Sequence, residues 1–154
     1  MGARSTRGYS LAAPPSRPPM PPALALIGVG SNLAPDRHVP AALEALFRAH
    51  GALHVSSVIE TAPVGMTDGS GTFWNLAVAV PTDIDADRLQ ADLHALERAA
   101  ERDRDAPGQS WKARPLDLDL LLYRSLQLET EELTLPHPHL AERLFVLAPL
   151  CEIA

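Results

Sequence analysis

The sequence predicts an α+β fold of ferredoxin-like βαββαβ type, an antiparallel sheet with its helices on one face. Three observations lead there. Apolar runs of strand length stand at residues 23–29 (ALALIGV), 73–80 (FWNLAVAV) and 116–122 (LDLDLLL). Two stretches carry apolar residues at helical spacing. One runs on from Pro40 with Leu43, Leu46 and Phe47 on one side; the other goes from the capping residue Asp85 to about Arg104, with Leu89, Leu93 and Leu96 as its stripe. Finally, Leu53, Val55, Ser57, Ile59 and Thr61 alternate with their neighbours as one strand. Pro63 and Gly65 end it, and a loop with Gly65, Gly69 and Gly71 joins it to the run at 73–80 as a hairpin. Two β-α-β units sharing a central hairpin make the ferredoxin-like arrangement. Two helices cover one sheet face and leave the other to loops and a ligand. Gly30-Ser31-Asn32 reads as the turn after the first strand, and Leu126-Gln127-Leu128 is expected to pair back on the run at 116–122.

Composition narrows the class. A chain of 154 residues suits one domain. The single Cys151 excludes an intrachain disulfide framework and a four-cysteine zinc site, and points to the reducing cytoplasm. The longest apolar runs, 23–30 and 144–151, fall far short of the ~18–20 residues of a membrane span. A pI near 5.4 argues against a nucleic-acid binder. Residues 1–22 hold three arginines, no acid and six of the 15 prolines, so they are expected to form a disordered tail ahead of a domain at 23–154. The start Met1-Gly2-Ala3-Arg4-Ser5-Thr6 also fits a loose N-myristoylation pattern, and its acid-free, Arg- and Ser-containing character fits a transit peptide.

The sharpest chemical feature is Arg114-Pro115-Leu116-Asp117-Leu118-Asp119-Leu120. On a strand the leucines point to the core and the two aspartates point out together, their Cα atoms roughly 6.6 Å apart. Carboxylates at that spacing can serve two divalent cations about 3.5–4 Å apart, and magnesium favours such sparse ligation completed by water and phosphate. A solvated acidic strand face is the competing interpretation. Just upstream, Arg98, Arg102, Arg104, Lys112 and Arg114 gather half of the basic residues beyond position 22 into 17 positions. Arginine suits bidentate phosphate contacts, although Glu97, Glu101, Asp103 and Asp105 could pair these cations into an ordinary helix end. No glycine cluster has the lysine and spacing of a P-loop. In Leu133-Thr134-Leu135-Pro136-His137-Pro138-His139 a histidine could hydrogen-bond a phosphate or serve only the turn, and no third neutral ligand nearby supports zinc. Phe73 and Phe145 could sandwich a flat heterocycle, with hydrophobic packing as the default. The Asn75 amide offers the donor and acceptor that match a pterin or purine edge.

In this order and spacing the residues resemble the 6-hydroxymethyl-7,8-dihydropterin pyrophosphokinase family of folate biosynthesis, over nearly all of residues 24–154. The resemblance rests on Ile27-Gly28-Val29-Gly30-Ser31-Asn32-Leu33, Thr61-Ala62-Pro63-Val64-Gly65 and Phe73-Trp74-Asn75. It rests further on Glu97 with Arg102 and Arg104, on the segment from Arg114 to Asp119, and on 133–137 with Arg143 and Phe145. It implies transfer of pyrophosphate from ATP to the pterin hydroxymethyl group, with AMP released. It also implies two Mg²⁺ ions on Asp117 and Asp119, with Arg102 and Arg114 neutralising the transferring group. Glu97, Arg104, Trp111, Thr134, His137 and Arg143 would form the ATP side. The pterin would lie between Phe73 and Phe145, read by Asn75 and by the backbone around Thr61 and Val64, with Trp111 closing over it. A monomer acting on the pterin and ATP, with no nucleic-acid or membrane partner, is expected. The sequence departs from the family pattern at Lys112-Ala113, where Gly-Pro is usual, and at Ser110 and Glu132, where many members carry a basic side chain.

Overall fold

The computed structural model describes residues 22–62, 71–101 and 114–153. Residues 1–21, and with them the expected tail, lie outside the described residues, as do Val64, Arg102, Arg104 and Trp111. Strand β1 (Ala23–Ser31) runs through the middle of the sheet, antiparallel to β4 (Phe73–Thr82) on one side and to β5 (Asp117–Tyr123) on the other. Two short strands, β2 (His54–Val55) and β3 (Ile59–Thr61), both pair with the outer edge of β4. The resulting order, β2/β3–β4–β1–β5, is the ferredoxin-like one.

Helices α1 (Pro35–His50) and α2 (Ala86–Glu101) lie on one face. There Val39, Ala42, Leu46, Leu89 and Leu93 pack on Ile27, Val29, Val78, Val80, Leu118 and Leu120. Full burial stabilises each large aliphatic side chain by about 1.5–3 kcal/mol, so this layer supplies most of the folding drive. Asp85 caps α2 by accepting a hydrogen bond from the Arg88 N–H (2.8 Å). Gly51, at φ 79°, closes α1 through its N–H to the Phe47 carbonyl (2.8 Å), a left-handed conformation that glycine adopts without steric cost.

Several local expectations are corrected. Helix α1 begins at Pro35, not in the turn containing Pro40. Pro35 occupies the first turn, where a missing N–H costs nothing, and Pro40 sits on the exposed side, where water can meet the carbonyl it leaves unpaired. Gly30 and Ser31 are not a turn but the last residues of β1. The alternating segment 53–61 is two strands, because the register against β4 slips by one residue between Val55↔Val78 and Ile59↔Asn75. This β-bulge at Ser57 and Val58 turns Ile59 and Thr61 to the face opposite Leu53 and Val55. Ser56 anchors it, with its N–H on the Ala77 carbonyl (2.9 Å) and its Oγ accepting from the Ala77 N–H (2.9 Å). Leu128 does not pair back on β5. Strand β6 (Leu128–Glu129) forms its own hairpin with β7 (Thr134–Leu135), closed by Thr130, whose Oγ1 accepts from the Leu133 N–H (3.0 Å).

A third helix, α3 (Leu144–Ile153), partly covers the second sheet face. It lays Leu150 and Ile153 on Leu26, Ala77, Ala79 and Leu121. An uninterrupted apolar run has no period that separates helix from strand, which is why sequence patterning is silent here. Small residues at Ala77 and Ala79 let the helix approach, and Glu152 ties it to the bulge by accepting from the Ser57 N–H (3.0 Å) and Oγ (2.8 Å).

Candidate active site

The half of the second face that α3 leaves open holds a pocket of about 380 Å³, of a size that suits a small molecule. Its floor follows from strand register. Gly30 on β1 is opposed by Asn75 on β4 and by Asp117 on β5, and Gly28 by Ala77 and Asp119. Directly opposed residues point the same way, so two rows of side chains cross the sheet with a glycine at the middle of each. A Cβ on Gly30 would stand 3.5 Å from Asn75 Oδ1 and 3.6 Å from Phe73 Cε1, inside the space these groups enclose. The floor is therefore hollow because β1 carries glycine at alternate positions. Composition could have flagged this spacing, but reading Gly30 as part of a turn obscured it.

Thr61, Phe73, Asn75, Asp117, Asp119, His137, Arg143 and Phe145 all line this one pocket, with His139 as an addition. The bulge brings Thr61 onto the pocket face beside Phe73, and Asn75 Nδ2 lies at 3.5 Å from Thr61 Oγ1, the long limit of a hydrogen bond. Phe145, in the first turn of α3, lines the same pocket, with the Arg143 guanidinium over its ring at 5.7 Å. Thr134 lies elsewhere, in a second hollow that shares Asp119 and His137 with the first.

Asp117 and Asp119 alternate with the buried Leu116, Leu118 and Leu120, so core packing dictates their common direction. Burial, and then the charge of Asp119, raises the Asp117 pKa, against the pull of Arg114, Arg143 and His137. His137 is reached from behind by the His139 N–H, which donates to its Nδ1 (3.2 Å). In the neutral ring the proton is then on Nε2, which faces Asp119 Oδ1 at 3.7 Å. Among the described residues no three His, Cys, Asp or Glu side chains are gathered to hold a metal by themselves. Two carboxylates on one face, repelling one another, suit a hard cation that completes its shell with water and phosphate oxygens.

Two supports escaped sequence reasoning. Ser31 and Asn32, both buried, clamp the entry to β5: Ser31 Oγ donates to the Pro115 carbonyl (2.6 Å), and Asn32 Oδ1 accepts from the Arg114 N–H (2.6 Å). Arg114 is itself exposed, and its side chain lines neither hollow. Glu97, expected on the ATP side, places its carboxylate on the Leu118 N–H (2.7 Å), on the edge of β5 between the two aspartates. Its pKa is raised by burial first; the Leu118 N–H opposes this, and the charges of Asp117 and Asp119 add to it.

A ferredoxin-like sheet with paired acids in an aromatic-walled pocket has the parts of a phosphoryl-transferring α+β domain. Comparison with known proteins narrows the class. The profile of the 7,8-dihydro-6-hydroxymethylpterin-pyrophosphokinase (HPPK) family matches residues 26–154, and the chain belongs to this family. It is 39% identical over 133 residues to a 2-amino-4-hydroxy-6-hydroxymethyldihydropteridine pyrophosphokinase of Bacillus subtilis, covering 84% of this chain and 77% of that protein. A protein of the same name from Methylorubrum extorquens is 38% identical over 133 residues, covering 84% and 82%. The mitochondrial folate synthesis bifunctional protein of Pisum sativum is 34% identical over 131 residues, covering 83% of this chain and 24% of that protein.

Proposed function

We propose that this pocket carries out the family's reaction, transfer of pyrophosphate from ATP to 6-hydroxymethyl-7,8-dihydropterin in folate biosynthesis. The observation that carries the assignment is that the aromatic and amide groups suited to a flat heterocycle open into the same cavity as the paired aspartates. The pterin lies between Phe73 and Phe145, with its polar edge on Asn75 and Thr61. Asp117 and Asp119 would hold two Mg²⁺ ions, which supply Lewis-acid stabilisation of the charge on the phosphates. The nucleoside lies in the second hollow near Thr134, and the triphosphate crosses Asp119 and His137, the residues common to both spaces.

The substrate hydroxyl oxygen bonds to the β-phosphorus of ATP and gives its proton to water. The bond from that phosphorus to the α-bridging oxygen breaks, and AMP leaves with the electron pair. The His137 Nε2–H and the Arg143 guanidinium are suited to phosphate oxygens, and the positive charge of Arg114 bears on Asp117 from the entry to β5. Arg102, Arg104, Trp111 and the backbone at Val64 belong to this reading through the family resemblance, as does attack at the β-phosphate; Glu97 supports β5 from behind. No helix of the described residues is long and apolar enough to cross a membrane, and a cytoplasmic monomer fits the reading.

Identification of the nucleotide product tests it. Incubation with ATP, Mg²⁺ and hydroxymethyldihydropterin should yield AMP and the pterin diphosphate, and Asp117→Ala or Asp119→Ala should abolish turnover. Formation of ADP, or full activity of either variant, would refute it.

A further inference from the structure

The bulge that carries Thr61 into the pocket is held from outside the sheet. The register slips by one residue between Val55↔Val78 and Ile59↔Asn75, which takes Ser57 out of the ladder with β4. Its polar groups are met elsewhere. The Ser57 carbonyl accepts from Ser56 Oγ (2.9 Å), while its N–H and Oγ both donate to one carboxylate oxygen, Oε1 of Glu152 (3.0 and 2.8 Å). Leu150 and Ile153, on either side of Glu152 in sequence, are buried in one cluster with Ala77 and Ala79, so the carboxylate reaches out from an anchored end of α3. A straight continuation of β2 is the competing arrangement. It would set Ser57 opposite Leu76 and Ile59 opposite Trp74, and would return Thr61 to the face of Leu53 and Val55, away from Asn75. Ser56 faces Ala77 in either register, so the choice falls on Ser57. In the straight register its side chain points with Val55 toward the layer of α1 and α2, away from Glu152 on the other face.

We infer that Glu152 is a positioning residue for the pterin: by holding Ser57 in the bulge it selects the strand register that presents Thr61 to the pocket. The inference rests on the reading above that Thr61 meets the pterin edge. Glu152 lines neither hollow, so it acts on the substrate only through β3. Two donors on one ionised acceptor make a stronger tie than a neutral pair would, and both are lost together when the strand slips.

The test combines steady-state kinetics with cross-strand nuclear Overhauser contacts between β3 and β4, in the native chain, Glu152→Ala, Glu152→Gln and Ser57→Ala. Glu152→Ala should raise the pterin KM roughly tenfold with the ATP KM unchanged. In the same variant, contacts linking Ile59 to Asn75 should give way in part to contacts linking Ile59 to Trp74. Glu152→Gln keeps an acceptor and should recover most of the pterin KM. Ser57→Ala removes one of the two donors and should fall between the native chain and Glu152→Ala. Native pterin KM and native contacts in Glu152→Ala would overturn the inference. So would a parallel rise of the pterin and ATP KM values without rescue by glutamine, the mark of a merely structural role. Lost register with an unchanged pterin KM would show that Thr61 does not hold the pterin, and would overturn it too. A native chain that makes no AMP would sink the functional reading, whereas the Overhauser contacts report the register without turnover.

Discussion

Asp117→Asn should make the metal-free protein more stable and the enzyme inactive. The carboxylates of Asp117 and Asp119 project from one strand face two residues apart, a separation of roughly 6.6 Å between Cα atoms. At that distance two like charges repel by about 0.6 kcal/mol in bulk water and by about 2.5 kcal/mol at an effective dielectric constant of about 20. The Asp119 side chain is 47% exposed, which screens the pair toward the lower figure. Relief of about 1 kcal/mol is expected, a rise in Tm of about 2–4 °C for a domain of this size. The sign follows from the raised pKa of Asp117: a carboxyl whose pKa is higher folded than unfolded opposes folding once it ionises. The gain should therefore be full at pH 8 and shrink as pH falls through the raised pKa toward the ordinary carboxylate range. Thermal unfolding in EDTA from pH 8 downward measures it, and a repeat with Mg²⁺ and ATP should stabilise the native chain but not the variant. A variant that melts at or below the native temperature at pH 8 in EDTA, or that gains as much from Mg²⁺ and ATP, would refute the reasoning.

The other predictions concern the floor and supports of the pocket. Gly30→Val fills the space bounded by Asn75 and Phe73, so it should raise the pterin KM at least tenfold while leaving ATP binding intact; Gly30→Ala, whose Cβ meets only ordinary contacts, should fold normally, as circular dichroism can verify. Asn32→Ala removes the acceptor of the part-buried Arg114 N–H and should cost about 1 kcal/mol in urea unfolding, with a lower kcat because the entry to β5 loses its clamp. Glu97→Ala should destabilise by about 1–2 kcal/mol through the unpaired Leu118 N–H. Glu97→Gln keeps an acceptor there and should restore most of that loss in the same assay.

The period-two pattern of Leu116, Leu118 and Leu120 was enough to send both aspartates to one face, because a one-residue slip would expose three leucines and bury two charges. Equally legible were α2, whose Leu89 and Leu93 are buried as the stripe requires, and Asp85 as its cap. Helix α1 was read less well, because its packing side is Val39, Ala42 and Leu46, while Phe47, expected beside Leu46, is exposed. The position of Thr61 was not legible. Its alternation with Leu53 and Val55 puts all three on one face, and the bulge at Ser57 and Val58 reverses this through pairing with Ala77, a partner about 20 positions away. The clamp of Ser31 and Asn32 on Arg114 and Pro115 spans more than 80 positions, and no local pattern announces it.

From the amino-acid order alone came the strand–helix succession, the paired acids and the chemical character of the pocket walls, since each depends on side-chain type and on periods of two or 3.6 residues. Only the folded chain decided that Gly28 and Gly30 form a hollow floor, that α3 covers half of the second face, and that Glu152 meets Ser57 at the bulge. These depend on which distant segments meet, and contacts of that kind are selected by the packing of the whole core and not by any stretch of neighbouring residues.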